Sequence, residues 1–163
     1  MTEKQEYAAL DGQLVFGIPI IDTQHANLIR IANNLRLACL VAGTETANPR
    51  FLRAVREAVD YIRNHFNTEE KLMVLLDFPD YHTHKKEHDD FIWEILSHAK
   101  QFQEEQGLVP EKFAYSLSDW INSHIGSSDK TFADFFLAMK HHGKLRLILS
   151  GIPKLSATSA GMA

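Results

Sequence analysis

The chain has 163 residues, of which 45% are hydrophobic and 23% charged, and its net charge is −4. These values are typical of one soluble globular domain and exclude the broad basic surface that binds nucleic acid or anionic lipid. Cys39 is the only cysteine, so an internal disulfide and a thiolate metal site are also excluded. The N-terminus lacks the apolar core of a signal peptide and no stretch is long enough to span a membrane, so we expect a cytoplasmic protein.

Residues 1–21 are expected to form an N-terminal arm, because its last segment, FGIPIID, contains a glycine and a proline. Asp22 is a residue type that caps helix N-termini, and a first helix is predicted from there to about Val41. An apolar repeat with steps of three and four residues marks the buried side of this helix. His25 belongs to that repeat.

A second helix is predicted from about Pro49, which suits a first turn, to Leu76. Its apolar repeat includes His65 and Glu69 where leucines are expected. A buried carboxylate without a partner costs several kcal/mol, so these two residues need a reason to be there. The adjacent Glu70 could contact solvent or a histidine ligand, and solvent is favoured.

The third predicted helix follows the turn DFPD and runs to about Gln106, with His84 and His88 in its buried repeat. The fourth begins near Glu111 and carries His124 in its repeat. Each of the four helices therefore places a histidine on its buried side. The i, i+4 spacing of the pairs in the second and third helices directs both side chains of each pair the same way.

Asp129 follows His124 by five residues, a spacing that rotates the two side chains apart on a regular helix. Both reach one centre only if the helix breaks or bulges between them. The intervening IGSS supplies a glycine and two residues that favour helix starts. We therefore predict a local irregularity there.

Four amphipathic helices with short connections predict an all-α protein, an antiparallel up-down-up-down four-helix bundle spanning residues 22–142. A C-terminal extension, residues 143–163, is expected to be partly disordered. With neighbouring helices antiparallel, the buried polar residues converge at one end of the bundle. The candidate ligands are His25, His65, Glu69, His84, His88, His124 and Asp129.

Seven inward donors exceed the needs of one metal ion and fit two. If Glu69 and Asp129 bridge both ions beside an oxo or hydroxo group, each ion has three oxygen ligands, and the histidines divide as three and two. One ion is then closed and the other keeps an open position, where a small molecule binds. Such ligands suit iron, manganese, zinc or copper. Iron is favoured because two ions of variable valence can each supply one electron to dioxygen.

Apolar residues within a turn of these ligands are expected to form a dry pocket that admits O2 and excludes water. The predicted pocket residues are Leu28, Phe66, Phe91, Trp120, Ile121 and Ile125.

The segments IDTQH, HFNTEE, HTHKKEHDDF and WINSHIGSSD together resemble the hemerythrin family, in particular its bacterial members, over roughly residues 10–140. The resemblance implies a four-helix bundle with a non-heme di-iron centre that binds O2 reversibly. It also implies that three histidines hold the closed iron (His84, His88 and His124) and two hold the iron that takes O2 (His25 and His65). The tail beyond residue 142 has no clear counterpart in the family.

The leading hypothesis is reversible O2 binding for transport, storage or delivery, without catalytic residues and with an unidentified receiving protein. One alternative is a sensor of O2 or redox state that signals to a partner, for which the segment KLRLILSGI is the candidate contact. Another is a di-iron oxidase or a scavenger of nitric oxide or peroxide. Oxidative di-iron enzymes tend to use more carboxylates, so the histidine-rich set argues for binding.

Overall fold

The protein is described by a computed structural model covering residues 14–42, 49–103 and 110–141. Those residues are nearly all helical, and no strand occurs among them. The helices are α1 (Pro19–Ala42), α2 (Pro49–Leu75), α3 (Tyr81–Gln103), α4 (Pro110–His124) and α5 (Lys130–His141), and a π-helical turn (Ile125–Asp129) joins the last two. Helix α4, the turn and α5 form one continuous helix, so the described residues form four long helices. Because they contain no strand, the predicted all-α class is confirmed.

The helices pack as a bundle in which α1 contacts α2 and α4, and α3 also contacts α2 and α4. His25, near the start of α1, lies against His65 in the second half of α2, with 4.9 Å between ring centroids. His84, at the start of α3, lies 4.8 Å from the ring of His124 at the end of α4. Helices α1 and α2 therefore run in opposite directions, and so do α3 and α4.

The predicted arm (1–21) lies mostly outside the described residues, and the predicted tail (143–163) lies entirely outside them. The division of the chain into arm, bundle and tail therefore stays a prediction. The predicted end of the third helix near Gln106 also falls outside the described ranges.

The prediction that Asp22 caps the start of the first helix is wrong, because α1 already begins at Pro19. Proline is tolerated in a first turn, where its missing N–H has no intrahelical partner to lose. The carboxylate of Asp22 instead reaches back and accepts hydrogen bonds from the backbone N–H groups of Phe16 (2.7 Å) and Gly17 (2.9 Å). This contact holds the ring of Phe16 edge-on against His25, with 5.4 Å between centroids.

Helix α2 ends in a tight turn that sets the direction of α3. Asp77 has a φ of 51°, the left-handed conformation common just after a helix end. The N–H of Phe78 donates to the carbonyl of Met73 (2.9 Å) and that of Asp77 donates to Val74 (3.3 Å), the bonding pattern of a Schellman motif. Phe78 and Met73 also pack together in a small apolar cluster. Pro79 then prevents α2 from continuing.

The predicted irregularity in the fourth helix is confirmed as the π-helical turn Ile125–Asp129. In a π-helix the backbone hydrogen bonds join residues five apart, so residues with that spacing lie nearly above one another. The turn therefore brings Asp129 back to the face that carries His124, and both side chains are buried. Leu14 packs close to the surface of the turn, 4.0 Å from where a Cβ on Gly126 would lie.

The bundle interior away from the histidines is a continuous apolar core. It includes Leu35 from α1, Val55 and Val59 from α2, and Phe113 and Leu117 from α4, all of them buried. No helix in the described part of the chain is long and apolar enough to cross a membrane.

Candidate metal centre

Seven polar side chains converge inside one end of the bundle. Each is at most 5% exposed, which is unusual for residues of these types. They are the seven predicted ligands: His25, His65, Glu69, His84, His88, His124 and Asp129. Helices α1, α2, α3 and α4 and the π-helical turn each contribute at least one of them. The structure brings all seven together, while their role as ligands stays a prediction.

The ligand atoms fall into two groups that share both carboxylates. Glu69 and Asp129 lie with His84, His88 and His124 in one group, and with His25 and His65 in the other. Within each group, all donor atoms lie within 4.8 Å of one another. The three-and-two division of histidines around shared carboxylates therefore appears in the geometry. The two groups are called the three-histidine half and the two-histidine half below.

In the three-histidine half, the Nε2 atoms form a nearly equilateral triangle. His84 and His88 are 3.0 Å apart, His88 and His124 are 3.0 Å apart, and His124 and His84 are 3.2 Å apart. Nitrogens about 2.1 Å from one ion lie about 3.0 Å apart at right angles and about 3.4 Å apart at tetrahedral angles. The triangle therefore matches one face of an octahedron better than a tetrahedral site.

The shared carboxylates lie between the two halves. One oxygen of Asp129, Oδ2, is 3.1 Å from His25 Nε2, and the other, Oδ1, is 3.1 Å from His84 Nε2 and 3.0 Å from His124 Nε2. Glu69 Oε2 is 3.5 Å from the Nε2 atoms of His65 and His88. Asp129 thus presents a separate oxygen to each half, as a carboxylate that bridges two ions does.

Hydrogen bonding within the described chain does not satisfy this cluster. All four carboxylate oxygens and the Nε2 atoms of His25 and His65 are buried there without a hydrogen-bond partner. Buried polar atoms are almost always paired, because an unpaired one costs free energy. Imidazole and carboxylate donors aimed at a common centre are the ligands that divalent transition metals prefer. The donor set therefore fits a metal centre.

Two of the histidines have a hydrogen-bond partner on the ring nitrogen that faces away from the centre, Nδ1, called the outer nitrogen below. This leaves the inner nitrogen, Nε2, which faces the centre, free to bind a cation. Glu70 Oε1 lies 3.1 Å from His88 Nδ1, and Glu87 Oε2 lies 3.0 Å from His124 Nδ1. A ring that donates from Nδ1 carries its lone pair on Nε2, which is how metal-bound histidines are commonly oriented. For Glu70 the favoured prediction, contact with solvent, is therefore wrong, and the alternative, contact with a histidine ligand, is what the structure shows.

Sequence reasoning missed two of these outer partners, Glu87 and Gln24. Gln24 Oε1 lies 3.2 Å from His65 Nδ1, and its amide donates to Thr68 Oγ (3.1 Å). Both residues adjoin a predicted ligand in the sequence, yet each contacts a histidine on a different helix. Their adjacency to a ligand in the sequence is the signal that could have identified them. Only the packing of the helices shows which histidine each one contacts.

The electrostatics of the cluster favour cations. Burial lowers the pKa of a histidine, but the negative charges of Asp129 and Glu69 close by outweigh burial and raise the pKa of His25 and of His84 to about 9. Burial also acts to raise the pKa of Asp129, but the surrounding histidines hold it well below its usual range. Since the carboxylates stay ionised in the core, positive charge must lie beside them.

A small cavity adjoins the centre on the side of His65 and His124. Its volume is about 10 Å³, close to the minimum that one water molecule requires. All six predicted pocket residues line it, together with Ile62 and three of the polar residues of the cluster. Stacked rings form one wall: Trp120 lies 3.6 Å from Phe91 and 4.3 Å from the imidazole of His124, between centroids.

The sequence also matches a known protein family over most of the bundle. The model of the hemerythrin HHE cation binding domain matches residues 17–136, a range that contains all seven buried polar residues. The chain belongs to the hemerythrin family. The helical bundle and the buried cluster of histidines and carboxylates agree with a metal-binding protein of this family.

Individual relatives cover most of both chains. The bacteriohemerythrin of Stenotrophomonas maltophilia (strain R551-3) is 33% identical over 121 residues, 74% of this chain and 76% of the relative. That of Pseudomonas aeruginosa (strain LESB58) is 32% identical over 125 residues, 77% of this chain and 76% of the relative. A hemerythrin-like protein of Naegleria gruberi is 27% identical over 124 residues, 75% of this chain and 87% of the relative.

Proposed function

We propose that this hemerythrin domain binds dioxygen reversibly at a non-heme di-iron centre, as an oxygen carrier, store or delivery protein. His84, His88 and His124 would hold one iron, His25 and His65 would hold the other, and Glu69 and Asp129 would be shared by both. When bound, such a centre would supply the two electrons that reversible binding of dioxygen requires. The seven ligands come from the chain alone, so no further protein group is needed.

The observation that carries this proposal is the apolar cavity beside the centre, which is lined by His124 of the three-histidine half and by His65 of the two-histidine half. The two-histidine half has one histidine fewer, so an ion held there would have one position to offer to a small ligand. The cavity reaches His65 and is lined mainly by aliphatic and aromatic side chains, including Leu28 and Ile121. Such walls keep water away from the ion, and excluding water and protons slows irreversible oxidation.

The metal content and the visible spectrum test the proposal directly. The purified chain should contain two irons, and after anaerobic reduction it should gain a charge-transfer band in air that disappears when oxygen is removed. Irreversible oxidation at the first exposure to air would support an oxidase instead. Little iron, or zinc alone, would overturn the di-iron proposal while leaving the bundle unchanged.

Replacing Ile121→Thr tests the role of the cavity. The hydroxyl introduces a polar group into an apolar space and favours entry of water. We expect the oxygenated band to decay faster in this variant, with unchanged iron content. Val55→Thr, which makes a similar change in the core far from the ligands, is the control and should leave the decay rate unaltered. Equal decay rates in all three proteins would show that the cavity does not protect the site.

The composition of the centre favours binding over enzymatic oxidation. Five imidazoles accompany two carboxylates, whereas di-iron bundles of the Glu-x-x-His type use more carboxylates. We therefore propose that the chain is not an enzyme. A sensing role would need a contact that reports the state of the centre, and the predicted candidate, KLRLILSGI, lies outside the described residues.

A further inference from the structure

The outer nitrogens of the histidines differ in chemistry between the two halves. In the three-histidine half, His88 and His124 each contact a carboxylate, Glu70 at 3.1 Å and Glu87 at 3.0 Å. These carboxylates come from α2 and α3, so the outer partners of this half also link α2 to α3 and α3 to α4.

The two-histidine half has neutral support or none. His65 Nδ1 contacts the amide oxygen of Gln24 at 3.2 Å. His25 Nδ1 is buried and has no hydrogen-bond partner among the residues that the structure describes. The ring of Phe16 lies edge-on to the ring of His25. No carboxylate outside the centre therefore contacts a histidine of this half in the described ranges.

A carboxylate on the outer nitrogen draws the proton of the imidazole toward itself and makes the inner nitrogen a stronger donor to a cation. A neutral amide orients the ring but adds no charge. We propose that Glu70 and Glu87 are positioning residues that make the three-histidine half the tighter site. That half then retains its ion under conditions in which the two-histidine half loses its own. This inference rests on the proposed di-iron function.

Both carboxylates are held in place and are suitable for substitution. Ser128 in the π-helical turn donates to Glu87 Oε2 at 2.6 Å, and Lys85 Nζ lies 3.6 Å from Glu70 Oε2. The side chains of Glu70 and Glu87 are 20% and 41% exposed, whereas Glu69 is completely buried. Replacing either with glutamine removes the charge and keeps an acceptor of the same shape, without opening a cavity in the core.

The experiment measures the release of iron from the reduced, iron-loaded full chain to a chromogenic Fe(II) chelator under anaerobic conditions. The unmodified chain should release its iron in two phases of equal amplitude. Glu70→Gln and Glu87→Gln should each accelerate the slow phase by about tenfold, since loss of such outer partners weakens metal binding about 10- to 100-fold. The fast phase should not change.

Two further variants separate this effect from general destabilisation. Gln24→Glu places a carboxylate on the outer nitrogen of His65 and should slow the fast phase instead. Asp90→Asn removes the same charge from an exposed residue that pairs with Lys86, and it should alter neither phase. The melting temperatures of the metal-free variants show whether folding has changed.

The outcomes are distinct. Two irons released in a single phase, or equal acceleration of both phases by Glu70→Gln and Glu87→Gln, would overturn the inference and leave the di-iron proposal intact. Fewer than two irons per chain would overturn the di-iron proposal itself. Because the chelator is added in the absence of oxygen, the result does not depend on whether the loaded protein binds dioxygen.

Discussion

The bundle interior consists of an apolar half, the hydrophobic core, and a polar half, the cluster of seven predicted ligands. These two regions are equally buried but differ in what they need from outside the chain. Leu35 and Leu117 in the apolar half are 1% and 2% exposed, and Glu69 and Asp129 in the polar half are 0% and 1% exposed. The apolar half is complete by itself, because its side chains satisfy one another by packing. The polar half has buried carboxylate oxygens that lack a hydrogen-bond partner within the described chain. The first half supplies stability, and the second uses part of it to hold a binding site.

Metal removal is expected to have the largest effect and to separate the halves. Ion binding adds to the free energy of folding, and about 1 kcal/mol shifts the Tm of a chain of this size by about 2–4 °C. Chelation should therefore lower the Tm by more than about 10 °C. Hydrogen exchange should show loss of protection in residues 65–73 before residues 113–121. Uniform loss, or an unchanged Tm, would contradict the comparison.

Glu69→Gln should break the polar half with and without metal. The substitution removes a shared ligand charge, so we expect the bound iron to fall from two per chain to one or fewer. The metal-free variant should also melt below the metal-free parent, because it leaves the surrounding histidines without one of the two carboxylates that compensate their charge. Metal analysis and calorimetry measure the two effects. Glu94→Gln, at an exposed position on α3, is the matched control and should change neither.

Leu117→Ala should weaken the apolar half without altering the site. Truncation of a fully buried leucine costs about 2–5 kcal/mol, because it removes contacts and leaves a cavity. We expect that loss in urea unfolding, with two irons still bound. Tyr115→Ala, on the exposed side of the same helix, should change stability by less than about 0.5 kcal/mol. A parallel loss of iron in Leu117→Ala would show that the two halves are coupled.

Asp22→Ala should have the smallest effect and act locally. It removes the two hydrogen bonds that hold the N–H groups of Phe16 and Gly17, and we expect a loss of about 1 kcal/mol. Exchange of those two amides should become faster, while the iron content should stay the same. Asp134→Ala removes an exposed partner of Lys130 and should cost less, since surface ion pairs contribute little. If both variants behave alike, Asp22 does not hold the arm.

Much of the site was predictable because its ligands occupy the buried positions of helical repeats. The i, i+4 pairs, His65 with Glu69 and His84 with His88, follow directly from helix geometry. Asp129 follows His124 by five residues, and a regular helix would direct its side chain away from the other ligands. This spacing therefore predicts a local irregularity in the helix. The π-helical turn supplies the predicted irregularity. The start of α1 was misjudged because Pro19 suits a first turn as well as a loop.

The sequence by itself determined the helical class, the number of helices and the set of polar residues that each helix buries, because periodicity is a local property. Only the tertiary structure decided which side chains support those residues from behind. Gln24, Glu70 and Glu87 each lie beside a predicted ligand in the sequence but contact a histidine on another helix. Such contacts depend on how two helices are rotated and shifted against each other, and this is set by packing of the whole interior.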